Sequence, residues 1–349
     1  MIKSVLVTGG AGYIGAHTAK ALHDQGLRPV VFDNLSSGHA EAVRWGPMVR
    51  GDIRDPDAVR AAVHEYDCKA AIHFASLIEV GRSVTRPDLF YDINVAGTMS
   101  LLNALKDTAV ERLVFSSSAA VYGQAGVGPL DLLHEELPKD PSSPYGDTKL
   151  ACERMIATYC RAFGLSAVAL RYFNAAGTDP SGLIGEAHDP ETHLIPLAIK
   201  AALGTGKPLT VFGADFSTPD GSCLRDYIHV NDLGAAHIAA LQVDLPAGAF
   251  EAVNVGVGEG RSVFEVIAAV SRAVGRPVPH EIGGRRAGDP PSLVANPGRA
   301  RMLLDWEARC SGLDRIVADA VAWHRRPAYG PGHTAVAAPI RAMPAAVLS

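Results

Sequence analysis

No stretch of this chain approaches the ~20 consecutive apolar residues that a membrane-spanning helix requires, so a membrane protein of the helical kind is not expected. The opening "MIKSVLVTGG" is too short in its apolar part for a secretory leader and ends in glycines, not at a small-residue cleavage site. An excess of positive charge is also missing. Lys and Arg total 32 against 37 Asp and Glu, a net charge of -5, which argues against a nucleic-acid-binding surface. Cysteine is scarce: Cys68, Cys152, Cys160, Cys223 and Cys310, an odd set of five with no C-x-x-C pair. Such spacing offers no disulfide framework and points to reduced thiols in a cytoplasm.

What remains is 349 residues, 48% hydrophobic and 20% charged, an ordinary globular composition that exceeds the size at which one core usually stops growing. Buried, strand-like runs fall at 2–8, 28–33, 47–50, 70–75, 111–116 and 166–171. Helical spacing falls between them, at 13–25, 55–65, 88–107 and 143–163. Alternation of this kind predicts an α/β fold: a Rossmann-type, doubly wound parallel sheet. Beyond about residue 175, Gly, Pro, Asp and Ser become frequent and the loops lengthen, which predicts a smaller mixed α/β C-terminal substrate lobe with helices near 230–243, 262–274 and 312–324.

"VTGGAGYIG" sets Gly9, Gly12 and Gly15 between the first strand and the first helix. Glycines there permit a tight turn and let the backbone approach a pyrophosphate at the helix N-terminus. Asp33 closes the next strand, 18 residues beyond Gly15, where a carboxylate accepts hydrogen bonds from ribose hydroxyls and repels a 2′-phosphate. NAD is the dinucleotide that fits. Asp52, in "RGDIRD", lies where it would reach the adenine, and "HFAS" (73–76) ends a strand in small residues where a cofactor passes.

In "SPYGDTK", Tyr145 and Lys149 sit at i and i+4 on one helix face. A free phenol, with a pKa near 10, is a poor base at neutral pH. A nearby ammonium and an oxidised nicotinamide both favour the phenolate, which then takes a proton from a substrate hydroxyl while hydride leaves the same carbon. Ser118, in "FSSSAAVYG", follows a predicted strand and is placed to hydrogen-bond that hydroxyl.

Together with "DNLSSGH", "NVAGT", "RYFNAAG", "CLRDYIHVNDL" and "RRAGDPP", these motifs run to about residue 325, and the chain resembles an extended short-chain dehydrogenase/reductase of the UDP-galactose (UDP-glucose) 4-epimerase kind. The resemblance implies a tightly held NAD, oxidation of the sugar 4-hydroxyl, rotation of the bound 4-keto sugar and return of hydride to its opposite face. It carries over Tyr145, Lys149 and Ser118 as catalytic residues. Around the cofactor it places Gly9, Gly12, Tyr13, Ile14, Gly15, Asp33, Asn34, Asp52, Ile53, Phe74, Ala75, Asn94 and Phe173, besides Tyr145 and Lys149. Around the UDP-sugar it places Ser118, Asn174, His193, Leu194, Phe212, Arg225, Arg286, Asp289 and Leu293. The implied division is residues 1–175 for NAD, with elements near 226–256 returning to that domain, 176–326 for the UDP-sugar, and 327–349 as a disordered tail. A homodimer, paired through helices near 88–107 and 144–163, is implied as well.

Three positions depart from the pattern. His193 stands where relatives often carry Asn, Ile78 where some carry Lys, and Leu293 where strict UDP-hexose enzymes carry a larger residue, often Tyr. The last implies modest activity at best on UDP-N-acetylglucosamine, and UDP-pentose or UDP-N-acetylhexosamine epimerisation is the alternative. A dehydratase would need an acid and a base just before Val-Tyr-Gly, where this chain has Ser118, Ala119 and Ala120. A non-catalytic NAD-binding protein would not need Tyr145 and Lys149 together. His188, Asp189, Glu191 and His193 match no common zinc spacing, so no metal is expected.

Overall fold

The computed structural model describes residues 2–123, 128, 131–286 and 289–331. In chain order its strands are β1 (Ser4–Thr8), β2 (Arg28–Asp33), β3 (Met48–Arg50), β4 (Cys68–His73), β5 (Arg112–Ser118), β6 (Ser166–Tyr172), β7 (Asn174–Ala176), β8 (Leu209–Phe212), β9 (Leu224–His229), β10 (Phe250–Val255), β11 (Gly260–Ser262), β12 (His280–Gly283) and β13 (Ser292–Leu293). The helices are α1 (Tyr13–Asp24), α2 (Pro56–Glu65), α3 (Val80–Thr85), α4 (Pro87–Phe90), α5 (Gly97–Leu105), α6 (Pro144–Phe163), α7 (Leu194–Leu203), α8 (Val230–Gln242), α9 (Val263–Val274), α10 (Gly298–Leu304) and α11 (Leu313–Arg325).

Apolar runs such as SVLVT, buried at every position, suit strands covered on both faces, as in a parallel sheet. Seven of them pair in parallel in the order β10-β6-β5-β4-β1-β2-β3. The strand order reverses between β1 and β4, which opens a crevice at their carboxyl ends, the usual ligand position in such sheets. One core, with Phe32, Leu101 and Phe115, fills one face, and another, with Ile72, Leu170 and Leu233, fills the other. From the later part of the chain, β10 forms the sheet's edge, and Gly234 of α8 lets that helix approach Ala21 and Thr18 of α1. The remaining strands build a smaller sheet centred on β9 and a β8–β12 pair, packed on α7, α9 and α11 through a third core.

The helical stretch expected at 88–107 is built as α4, a π-helical segment Tyr91–Ala96 and then α5. The wider turn follows from Asn94, whose buried side chain bonds Leu77 and Thr148 rather than lying on a helix surface. The tail does not start at 327. Tyr329 is buried against Trp323 and exchanges hydrogen bonds with the Gly185 backbone; the rest of that expectation, from 332 on, lies outside the described residues. Among the described residues all five cysteines are free, and no helix is long and apolar enough to cross a membrane.

Candidate active site

The glycine loop is built so that larger residues do not fit. Gly9 has φ +71°, and a Cβ there would lie 2.5 Å from the Ala75 nitrogen. A Cβ on Gly15 would lie 2.3 Å from the Gly9 carbonyl oxygen. Gly12 is different. It is the extended N-cap of α1, and a Cβ on it would meet only the Gly9 oxygen, at 3.3 Å. The first turn of α1 has no acidic residue and no side-chain cap, so its leading N–H groups are left for an anion. These features fit the pyrophosphate of a dinucleotide.

Asp33 ends β2 with Oδ2 accepting from the Ala11 amide at 2.9 Å and Oδ1 from the Leu35 amide at 2.8 Å. Burial raises its pKa, and those two amides pull it back down, so the carboxylate is aimed by backbone and keeps lone pairs for a ribose. Asp52 accepts from Asn34 at 3.0 Å and pairs with Arg54, which holds its carboxyl well below the usual range. Ile53 is buried against Gly97. Phe74 and Ala75 leave β4 beside the glycine loop, both amides donating to the Thr8 carbonyl, while Ile14, from α1, packs in the same core as Phe74. The Tyr13 hydroxyl donates to the Gly177 carbonyl at 2.6 Å, tying α1 to the segment after β7. His73 is fully partnered by Thr8 and Thr98, a structural histidine.

The N-terminus of α6, capped by Ser143 with Pro144 at its first position, places Tyr145 and Lys149 under the carboxyl end of β5. Both are buried, 8% and 2% exposed. The Lys149 ammonium donates to the Ser116 carbonyl at 2.8 Å and to Ser76 Oγ at 3.0 Å, and lies 5.8 Å from the Tyr145 ring centre. Ser118, the last residue of β5, caps the following turn by accepting from Ala120. Here the electrostatics differ from the expectation. Burial pushes the Tyr145 phenol up to about 12, with Ser118 pulling the other way, and Lys149 is not among the causes. The lysine is aimed at backbone and Ser76 instead of at the phenol.

Burial also pushes the Lys149 ammonium down to about 8, against weaker support from Cys152 and Glu153. The unfolded chain therefore binds this proton more tightly than the native one, and its cost is full below pH 8 and gone above about 10.5. Stability attributable to this lysine rises with pH across that window. Relative to Lys149→Met in the same cofactor state, the native chain should gain about 3 kcal/mol from pH 8 to 10.5, read by chemical denaturation at each pH. A flat difference would show that the ammonium is not desolvated.

The smaller lobe brings together part of the expected substrate set. Arg225 Nη2 is 3.0 Å from Asp289 Oδ1, and its Nη1 donates to the carbonyls of Leu224 and Pro290. Leu293 pairs with Arg225 in register and packs beside Phe173 against the Tyr122 cluster. The Arg286 guanidinium lies 3.8 Å from the centre of the Phe212 ring, so the residues expected at the phosphates and at the uracil stack on each other. Asn174 opens β7. His193 is the N-cap of α7, paired with Glu186, and Leu194 follows it into the third core.

Some residues of the site were not anticipated. Ser76 and the Ser116 carbonyl hold Lys149. Glu153, one turn beyond Lys149, bonds Ser117 and forms a buried two-point pair with Arg171. The i+4 step from Lys149 to Glu153 was the readable signal; nothing local points to Arg171.

With this geometry in hand, the similarities to known proteins are informative. Residues 5–256 match the NAD dependent epimerase/dehydratase family. A UDP-glucose 4-epimerase of Rhizobium leguminosarum bv. trifolii is 48% identical over 324 residues, covering 93% of this chain and 98% of that protein. The crystal structure of UDP-glucose 4-epimerase from Brucella ovis in complex with NAD is 48% identical with a TM-score of 0.88, covering 92% of this chain and 98% of that one. A third, from Stenotrophomonas maltophila with bound NAD and formylated UDP-arabinopyranose, is 38% identical with a TM-score of 0.88, over 93% and 98%.

Proposed function

The chain belongs to the NAD dependent epimerase/dehydratase family, and on that premise we propose that it interconverts UDP-galactose and UDP-glucose by inverting C4 of the sugar. It is an NAD-dependent UDP-sugar 4-epimerase. NAD, when bound, would supply the reversible hydride acceptor and, oxidised, a positive charge favouring ionisation of the phenol.

The chain's own residues do the rest. Tyr145 removes the proton of the 4-hydroxyl and later returns one to the same oxygen. Ser118 hydrogen-bonds that oxygen and the phenol. Lys149, held between β5 and Ser76, keeps one of its three ammonium donors for the nicotinamide ribose. Gly12 and the start of α1 take the pyrophosphate, and Asp33 the adenosine ribose. In the smaller lobe Arg225 and Arg286 are to grip the diphosphate, Asp289 the uridine ribose and Phe212 the uracil, which leaves the sugar loosely held and free to turn. One observation carries this reading: a phenol and an ammonium, both nearly sealed from water, sit at the carboxyl end of β5 beside the glycine crevice. Ala119 and Ala120 occupy the turn where an eliminating enzyme needs its acid and base, which disfavours dehydration.

The test is turnover of UDP-galactose, UDP-N-acetylgalactosamine and UDP-xylose by the purified protein. The UDP-hexose is expected to lead in kcat/KM, and Leu293→Ala to narrow its lead over the N-acetylated sugar by about tenfold, the scale of ~1–3 kcal/mol that small apolar groups discriminate. An unchanged ratio would remove Leu293 from the sugar pocket.

We further assign residues 1–175 chiefly to NAD and 176–326 chiefly to the UDP-sugar, and place the enzyme in the cytoplasm, in galactose metabolism, as a homodimer joined through α5 and α6. Exposed Tyr91 and Met99 beside and on α5, and Phe163 at the end of α6, support that pairing, as the free thiols support the compartment.

A further inference from the structure

Away from the catalytic tyrosine, the loop between β7 and α7 gathers four side chains into one cluster. Glu186, His188, Glu191 and His193 each offer a ligand atom, and these atoms lie within 4.8 Å of one another. The sequence offered His188, Asp189, Glu191 and His193, whose spacing fits no common zinc pattern, and no metal was expected; in the folded loop Glu186, not Asp189, joins the other three. Backbone contacts set it. The amides of Thr192 and His193 donate to Glu191 Oε1 at 2.8 and 3.0 Å, and the Trp323 indole donates to the Glu186 carbonyl at 2.8 Å. Glu186 Oε1 stands 3.2 Å from His188 Nδ1 and pairs with His193 Nδ1.

A second observation is independent of the clustering. The Glu191 side chain is 4% exposed, and its Oε2 is buried with no hydrogen-bond partner. A buried carboxylate oxygen left bare is costly, and it belongs to a carboxylate whose other oxygen lies 3.9 Å from His188 Nδ1, surroundings that suit a cation. The His188 and His193 side chains are 23% and 39% exposed, which leaves a path for an ion to enter.

We propose that Glu186, His188, Glu191 and His193 bind one divalent first-row transition-metal ion, zinc by preference, in a closed site of two nitrogen and two oxygen ligands. Imidazole and carboxylate together suit zinc at tetrahedral geometry, and a site with four protein ligands is structural, with no open position for chemistry. The ion satisfies Glu191 Oε2 and fastens the loop to α11 through Trp323. It also fastens the loop to the start of α1, where the His188 ring meets the Tyr13 ring edge-on with centroids 6.1 Å apart. The proposal does not depend on the epimerase reading.

The test uses the full-length protein with its cofactor, stripped of metal by a chelator and then titrated with Zn2+ calorimetrically and with Co2+ spectroscopically. The expected result is saturation at one equivalent, with the visible absorption of tetrahedral cobalt. In His188→Gln/Glu191→Gln the affinity is expected to fall by on the order of 100-fold or more, at least the effect of losing an outer-shell partner, with NAD content unchanged. Absence of saturable binding in the native protein, or unaltered binding in a folded double variant, overturns the proposal. The native titration decides by itself should the double variant fail to fold.

Discussion

Tyr145→Phe is expected to lower kcat by about three orders of magnitude while NAD stays bound and the melting temperature stays within a few degrees. The substitution removes a single oxygen. Positioned proton transfer typically contributes 10²–10⁴-fold, and no other ionisable group in the described residues occupies the phenol's place at the end of β5. The phenol has no charged partner: burial pushes its pKa up to about 12, with hydrogen bonding by Ser118 the opposing influence. Losing it breaks no ion pair, so the apolar ring of Phe should be accepted in the same pocket. The glycine loop, Asp33 and Lys149 are untouched, hence the unchanged cofactor content. Retention of more than a tenth of the native kcat would exclude Tyr145 as the acid–base group.

Glu153→Ala should cost the fold about 3–5 kcal/mol, the range for removing one partner of a buried ion pair. Glu153 and Arg171 are 3% and 4% exposed, and the guanidinium donates to both carboxylate oxygens, at 2.9 and 2.6 Å. Without the carboxylate, Arg171 keeps the Tyr122 hydroxyl, which itself donates to Asn254, and its charge is left uncompensated. Ser117 loses its partner as well. Because Ser117 precedes Ser118 on β5, turnover should fall too, through misplacement of that serine. The paired replacement Glu153→Met with Arg171→Met removes both charges, and should recover most of the lost stability, since buried pairs often contribute little beyond their own desolvation. Chemical denaturation of the three proteins distinguishes the cases. A loss under 1 kcal/mol in Glu153→Ala would mean that water reaches the pair.

The glycine loop, Asp33 and the Tyr145/Lys149 pair were legible because each is local: a strand, a tight turn and a helix, or two residues one turn apart. The alternating pattern gave the parallel sheet for the same reason. Three features depended on contacts between distant segments. The direction of Lys149 is set by Ser76 and the Ser116 carbonyl, from two other strand ends. The widened turn around Asn94 is set by Leu77 and Thr148. Glu186 joins His188, Glu191 and His193 in a loop whose backbone, at Glu186, accepts from the distant Trp323 indole. Burial was equally invisible: an i, i+4 step places an ammonium near a phenol, but the depth of the pocket is what pushes the phenol up and the ammonium down.

Conversion of UDP-galactose carrying deuterium at C4 tests the central claim most directly. An enzyme that takes hydrogen from C4 and returns it to the same carbon, with Tyr145 moving only the hydroxyl proton, forms UDP-glucose that keeps the deuterium at C4 in water. Product that has exchanged its C4 label with solvent, or no product from protein carrying a full complement of NAD, would contradict it.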